Sequence, residues 1–188
     1  MVSETEDIKW MKHALVLAEE ALEKGEFPVG CILVADNQIV GQGARQHSRE
    51  GALNELDHGE IVALRNWLLS GVEKNGKLIA YTTMEPCLMC LGALILNGVD
   101  KIVYAYEDVM GGAAGLDRTR PLTGSLDMIK NTMIQEIQRE HLYREDKIEI
   151  IGGICRQESL SLFKKFFQDQ RNSYWSNSLL ARYTLNAK

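Results

Sequence analysis

Apolar positions switch repeatedly between helical and strand spacing along this chain. Ile8, Met11, Leu15, Ala18 and Leu22 recur at helical intervals, and Gly25 closes the run, predicting a helix over Ile8–Lys24. Val29–Ala35 is continuously apolar and rich in β-branched residues, which predicts a buried strand. Asp36-Asn37 supplies a turn and Gln38–Gly43 its hairpin partner. A polar loop follows from Ala44 to Asp57. Ile61, Leu64 and Leu68 then mark a helix over Glu60–Ser70 that Gly71 stops. Lys77–Thr83 and Lys101–Tyr106 read as strands. Between them Pro86 opens a helix from about Cys87 to Leu96, since proline suits the first helical turn. Beyond a glycine-rich loop at Gly111–Gly124, the pattern predicts a helix over Leu126–Leu142, a strand at Lys147–Ile151 and a helix over Glu158–Gln170.

Strands alternating with helices predict an α/β fold, a three-layer α/β/α sandwich on a central mixed five-stranded sheet. The first two strands pair antiparallel, and those that follow helical crossovers run parallel. The length, 188 residues, suits one domain with a C-terminal helical extension from about residue 156. No run of about 18 apolar residues marks a membrane span. Glu4, Glu6 and Asp7 stand where a signal peptide carries basic residues, so the cytoplasm is the expected compartment. Of the four cysteines, Cys31 and Cys155 sit alone in apolar runs and are expected in the core. The formal charge of −5 is a poor match for a polyanion. It is unevenly spread: Lys164, Lys165, Arg171, Arg182 and Lys188 face one acid, Asp169, so this tail carries about +4 and the rest about −9.

The chemistry collects at two helix starts, His58-Gly59-Glu60 and Pro86-Cys87-Leu88-Met89-Cys90. Two cysteines three apart at a helix start can reach one metal ion, and the helix dipole there favours their thiolates. With His58 they make three zinc ligands, Zn2+ being the metal that such a donor set prefers. A structural zinc needs a fourth side chain and the motifs offer none, so the fourth position is left for water, as in catalytic sites. Glu60, two residues from His58, is placed to take a proton from that water and deliver it to a leaving amine. A lone His at a helix start is ordinarily a cap, and a lone Cys-x-x-Cys can be a redox pair or half a zinc knuckle. The combination in this order is far more specific than any part.

These residues match the His-x-Glu … Pro-Cys-x-x-Cys signature of zinc nucleobase and nucleoside deaminases, and from about Ile8 to Trp175 the chain resembles the cytidine deaminase-like superfamily. That resemblance implies a five-stranded sheet with the site at the start of the two zinc helices, and often a homodimer. Gly25-Glu26-Phe27-Pro28-Val29-Gly30, the stretch Glu85–Ala93, and Asp108 followed by Gly112-Ala113-Ala114-Gly115 resemble bacterial tRNA adenosine deaminases. Gly59 between His58 and Glu60, and Trp175 after a Phe-rich helix, resemble fungal cytosine deaminase; the Pro86–Ala93 helix also resembles bacterial guanine deaminase. Three departures concern substrate: Arg45 stands where relatives commonly place a base-holding Asn, the loop before His58 carries Glu50, Asn54, Glu55 and Asp57, and a helix is inserted between Leu116 and Asp146. Candidate substrate contacts are Phe27, Val29, Arg45, Asn54, Glu85 and Trp175. Phe27 and Trp175 are equally explained by core packing, and Arg45 by solvent. The acidic body favours a small-molecule nucleobase or nucleoside substrate, with no membrane partner. The alternative is a tRNA wobble adenosine converted to inosine, and a non-catalytic zinc-stabilised binding module ranks below both.

Overall fold

The computed structural model describes residues 4–49, 51, 53–116 and 148–188. The elements are α1 (Glu4–Glu23), β1 (Gly30–Ala35), β2 (Gln38–Ala44), α2 (Gly59–Ser70), β3 (Leu78–Met84), α3 (Leu88–Leu96), β4 (Lys101–Tyr106), β5 (Glu149–Gly152), α4 (Arg156–Gln168) and α5 (Leu179–Asn186). The inserted helix expected at about 125–142 lies outside the described residues.

The five strands form one sheet in the order β2-β1-β3-β4-β5. Asp36 and Asn37 both take positive φ (48° and 61°), the conformation of a two-residue hairpin turn, and set β1 and β2 antiparallel. The pairing shifts register between Leu33 and Val34, so Val40 is the extra residue of a bulge. β3 pairs antiparallel with β1, while β3, β4 and β5 are mutually parallel. The crossover through α2 thus carries the chain over β1, and β3 runs in the same direction as β2.

Side-chain alternation divides the core into two layers. Cys31, Leu33, Ala35, Leu78, Ala80 and Ile102 face α2 and α3, where Ala63, Leu64, Trp67, Leu91 and Leu94 meet them. Ile32, Val34, Ile79, Tyr81 and Val103 face α1 and α4, against Trp10, Met11, Ala14, Ala18 and Leu162. Asp7 of α1 reaches through this second layer. It pairs with Lys101 Nζ at 2.8 Å and accepts the Tyr81 hydroxyl at 2.9 Å, all buried.

One expectation needs correction. Cys31 is fully buried, but Cys155 is half-buried with φ 58° at the start of α4. The polar stretch after Trp175, within the expected C-terminal helical extension, folds back as α5. Leu180 joins Phe27, Val29, Met84, Tyr106, Leu160, Phe163 and Phe166 in a third cluster, and Thr184 Oγ1 lies 3.0 Å from the Tyr106 hydroxyl.

Because β1 is antiparallel to its neighbours, one end of the sheet gathers the start of β1 and the ends of β2, β3 and β4. Phe27–Val29, Arg45, Met84–Cys87 and Asp108 all emerge there, where open α/β sheets bind ligands.

Candidate active site

Both motifs use the first turn of a helix. His58 and Cys87 are the N-cap residues of α2 and α3, in extended conformation (ψ 149° and 170°), and neither side chain caps its own helix. Both are therefore free to bind something else. Cys90 is the third residue of α3, and N-cap and third-residue side chains face each other as in a capping box. That geometry explains the spacing of the Cys-x-x-Cys pair.

The structure brings His58, Cys87 and Cys90 together, with one donor atom from each within 4.8 Å of the others. His58 Nδ1 lies 3.6 Å from Cys87 Sγ and 3.5 Å from Cys90 Sγ. A tetrahedral ion with Zn–S near 2.3 Å and Zn–N near 2.05 Å needs about 3.6 Å between nitrogen and sulfur, so both nitrogen–sulfur separations already suit zinc. No fourth His, Cys, Asp or Glu joins the group among the described residues.

The protonation of these groups follows from their mutual contacts. Cys87 is lowered to about 4, chiefly by the Cys90 thiol, with burial opposing and His58 and the Cys90 backbone amide assisting. Cys90 is raised because it keeps the proton the pair shares, and burial and Glu60 reinforce this. Burial alone would lower His58, but its hydrogen bond to Cys87 and the charges of Glu60 and Cys87 raise it. These contacts favour a thiolate at Cys87, the form that binds a cation.

Glu60 is 3% exposed. Thr82 Oγ1 donates to its Oε1 at 3.2 Å, and the Cys90 thiol lies 3.5 Å from its Oε2. Burial raises its pKa above the ordinary carboxylate value, with His58 opposing. A carboxylate of raised pKa beside an open metal position suits proton transfer near neutral pH.

A cavity of about 210 Å³ opens beside the cluster, lined by His58, Glu60 and Cys87 together with residues from five other segments. It is smaller than the roughly 300–1,000 Å³ of drug-sized sites and suits one ring system. Of the expected substrate contacts, Phe27, Val29, Arg45, Glu85 and Trp175 line it and Asn54 does not. Asn54 instead braces its own loop, donating to Asp57 Oδ2 at 2.8 Å and accepting the Leu56 amide. Glu85 reaches the cavity wall with both oxygens occupied by the Asp108 and Ala114 amides, so it holds the 108–114 loop in place. Phe27 contributes mainly to packing, its ring against Phe163, Phe166 and Tyr174. Trp175 stands 44% exposed at the rim with φ 54°. Arg45 is buried rather than solvated, with its side chain 2% exposed.

Sequence reasoning missed Tyr174 and the placement of Glu55. Glu55 Oε2 accepts Arg45 Nη2 at 3.0 Å and the Tyr174 hydroxyl at 3.0 Å, and lies 3.6 Å from His58 Nε2. A carboxylate on the far nitrogen of a metal-binding His orients the ring. Nothing local signals this: Glu55 and Tyr174 are 119 positions apart.

A family model described as the cytidine and deoxycytidylate deaminase zinc-binding region matches residues 4–106. The tRNA-specific adenosine deaminase 2 of Xenopus tropicalis is 33% identical over 175 residues, covering 88% of this chain and 92% of that one. The tRNA-specific adenosine deaminase of Bacillus subtilis is 31% identical, covering 89% and 92%. A solved structure from studies of A-to-I editing by tRNA:A34 deaminases at the wobble position of transfer RNA superposes with a TM-score of 0.59 at 25% identity, over 82% of this chain and 98% of that one. The chain therefore belongs to the cytidine and deoxycytidylate deaminase family, and the metal its His and two Cys residues are arranged to hold is the zinc of a hydrolytic deaminase.

Proposed function

We propose that this chain deaminates adenosine to inosine at the wobble position of transfer RNA. The observation that carries the reading is the alignment with two tRNA-specific adenosine deaminases, from a frog and a bacterium, over about nine-tenths of every chain involved. It outweighs the acidic net charge, which favoured a free base or nucleoside. The cavity is compatible with it, having room for one ring, with Val29, Met84, Met110 and Leu180 as apolar walls and Trp175 at the mouth. A base flipped out of a single-stranded loop enters such a site between apolar and aromatic side chains.

In this reading His58, Cys87 and Cys90 hold the metal, and zinc when bound supplies a water activated at neutral pH. Glu60 relays the two protons of the consumed water in turn, passing the first to the ring nitrogen beside the reacting carbon and the second to the departing amine. The C6–N6 bond breaks, a C6 carbonyl forms, water is consumed and ammonia leaves. Glu55 fixes the ring of His58 from outside.

The same reading takes the chain as a homodimer joined through the α2–α3 face. Support comes from Leu68, Leu69, Leu88 and Leu96, each at least 55% exposed there; a monomer in sedimentation at micromolar concentration would remove that part.

The test is inosine formation in an anticodon stem-loop RNA, with Glu60→Gln as blank, beside ammonia release from free adenine, guanine, cytosine and their nucleosides. Inosine in the RNA that the blank lacks is expected. Turnover confined to a free base or nucleoside overturns the RNA assignment and leaves the deaminase standing.

A further inference from the structure

Arg45, just past the end of β2, has its side chain 2% exposed, and Glu55 is its one ion-pair partner among the described residues. Nη2 donates to Glu55 Oε2 at 3.0 Å and to the Tyr174 hydroxyl at 3.3 Å. Nε and Nη1 are sealed off without a partner, so nothing that enters the cavity touches them. Buried charged donors left unpaired are destabilising. The Glu55 side chain is 52% exposed, and an ion pair to so open a carboxylate adds little stability. Stability therefore does not account for Arg45, and its effect falls on Glu55.

Glu55 lies on the loop between β2 and α2, where a long, half-exposed side chain keeps no fixed position by itself. Two donors from distant segments fix it: Arg45 Nη2 and the Tyr174 hydroxyl each lie 3.0 Å from Oε2. The donors brace each other, with the guanidinium 5.5 Å from the centre of the Tyr174 ring, and that ring packs on Phe27 at 5.4 Å. The same Oε2 lies 3.6 Å from His58 Nε2. This is beyond hydrogen-bond range, so the carboxylate acts on the ring as a fixed charge. A negative charge there favours the imidazole proton on Nε2. It leaves Nδ1, which faces both cysteine sulfurs, with the lone pair that a metal ion needs.

We propose that Arg45 and Tyr174 are positioning residues of the metal centre, holding Glu55 where its charge orients the His58 ring for zinc. Arg45 and Tyr174 act only through Glu55, and none of the three is a metal ligand. This gives a task to Arg45 and Glu55, two of the positions at which the chain departs from its relatives. The inference needs the zinc site alone and holds whether the substrate is RNA or a free nucleoside.

The experiment compares the full chain as wild type, Arg45→Met, Tyr174→Phe and Glu55→Gln, with the two double variants that add Glu55→Gln to each of the others. Zinc affinity is measured against a competing chelator, the visible spectrum is taken on the cobalt(II)-substituted proteins, and melting temperatures are taken on the zinc-free ones. Glu55→Gln should weaken zinc binding about tenfold, the low end for a group that orients a ligand from outside. Arg45→Met and Tyr174→Phe should each weaken it severalfold and shift the cobalt bands in the direction that Glu55→Gln does. Neither should weaken it further once Glu55→Gln is present, since all three act by one route. Zinc-free Arg45→Met should melt no lower than wild type, because unpaired donors leave the interior. Zinc affinity and cobalt bands unchanged in both single variants overturn the proposal. So do losses that multiply with that of Glu55→Gln. A zinc-free Arg45→Met that melts well below wild type makes Arg45 a structural residue and overturns its part. Tyr174→Phe, which keeps the ring on Phe27 and loses only the hydroxyl, then still decides the route through Glu55.

Discussion

Gly43 is the point where the sheet holds α2 against the metal site. A Cβ added there would sit 2.5 Å from Ala63 N, 2.8 Å from Gly59 O and 2.8 Å from Val62 Cβ. Two of these neighbours are helix backbone, and the third is a Cβ that no rotamer change moves. Ordinary contact starts at 3.4 Å, so Gly43→Ala requires α2 to retreat by about 0.9 Å. Overpacking of this kind costs about 1–3 kcal/mol, which for a chain of this size lowers the melting temperature by about 2–12 °C. The functional effect should be larger than the structural one. His58 and Glu60 ride on the first turn of α2, while Cys87 and Cys90 belong to α3. A retreat of that size opens the 3.5 and 3.6 Å nitrogen–sulfur separations beyond what a tetrahedral zinc spans. Misplacement by about 1 Å costs on the order of 10²-fold in rate. Zinc affinity from competition with a chromophoric chelator, melting temperature and kcat on the substrate give three readouts. Gly115→Ala is the control, since its Cβ would meet nothing within 4 Å. A Gly43→Ala protein with wild-type zinc affinity and a melting temperature within 1 °C of wild type would refute the reasoning.

Glu60→Gln should keep stoichiometric zinc and lower kcat by about 10²–10⁴-fold; unchanged kcat would take proton transfer away from Glu60. Asp7→Asn leaves Lys101 buried without its counter-charge and should cost about 3–5 kcal/mol in urea unfolding. Adding Lys101→Met should recover most of that, and a double variant as unstable as the single one would contradict the ion-pair account. Glu26 gives a pH signature. Burial alone would raise its pKa, but hydrogen bonds from Ser48 and Arg49 hold it below 4.5. The folded state therefore favours its ionised form, a stabilisation complete above about pH 4.5 and lost as pH falls through the lower folded value. The melting-temperature gap between wild type and Glu26→Gln should be present at pH 7 and narrow progressively as pH falls below about 4.5; a gap that stays constant over that acid range argues for packing instead of charge.

Much of the chemistry was legible in the sequence because it is local. Cys87 and Cys90 are three residues apart, and His58 and Glu60 two apart, on first helical turns whose starts are marked by Pro86 and by the end of a polar loop. Each half of the zinc site is therefore written in a few consecutive residues. The hairpin was legible for the same reason, since Asp36-Asn37 tolerates the positive φ that its turn requires. Tertiary structure decided what surrounds the metal. Arg45, Glu55 and Tyr174 meet only because β2 ends at the same side of the sheet as β3 and β4, and because the chain after α4 returns there before folding into α5. Arg45 and Tyr174 are 129 positions apart, and no periodic pattern connects residues at that distance. The same packing turned Asn54 toward Asp57, committed Glu85 to the 108–114 loop and buried Arg45. Zinc ligation depends on spacing along a helix, which a sequence records directly. Reading a substrate depends on which side chains several distant segments leave facing one cavity, and that is settled only when the sheet and its layers close.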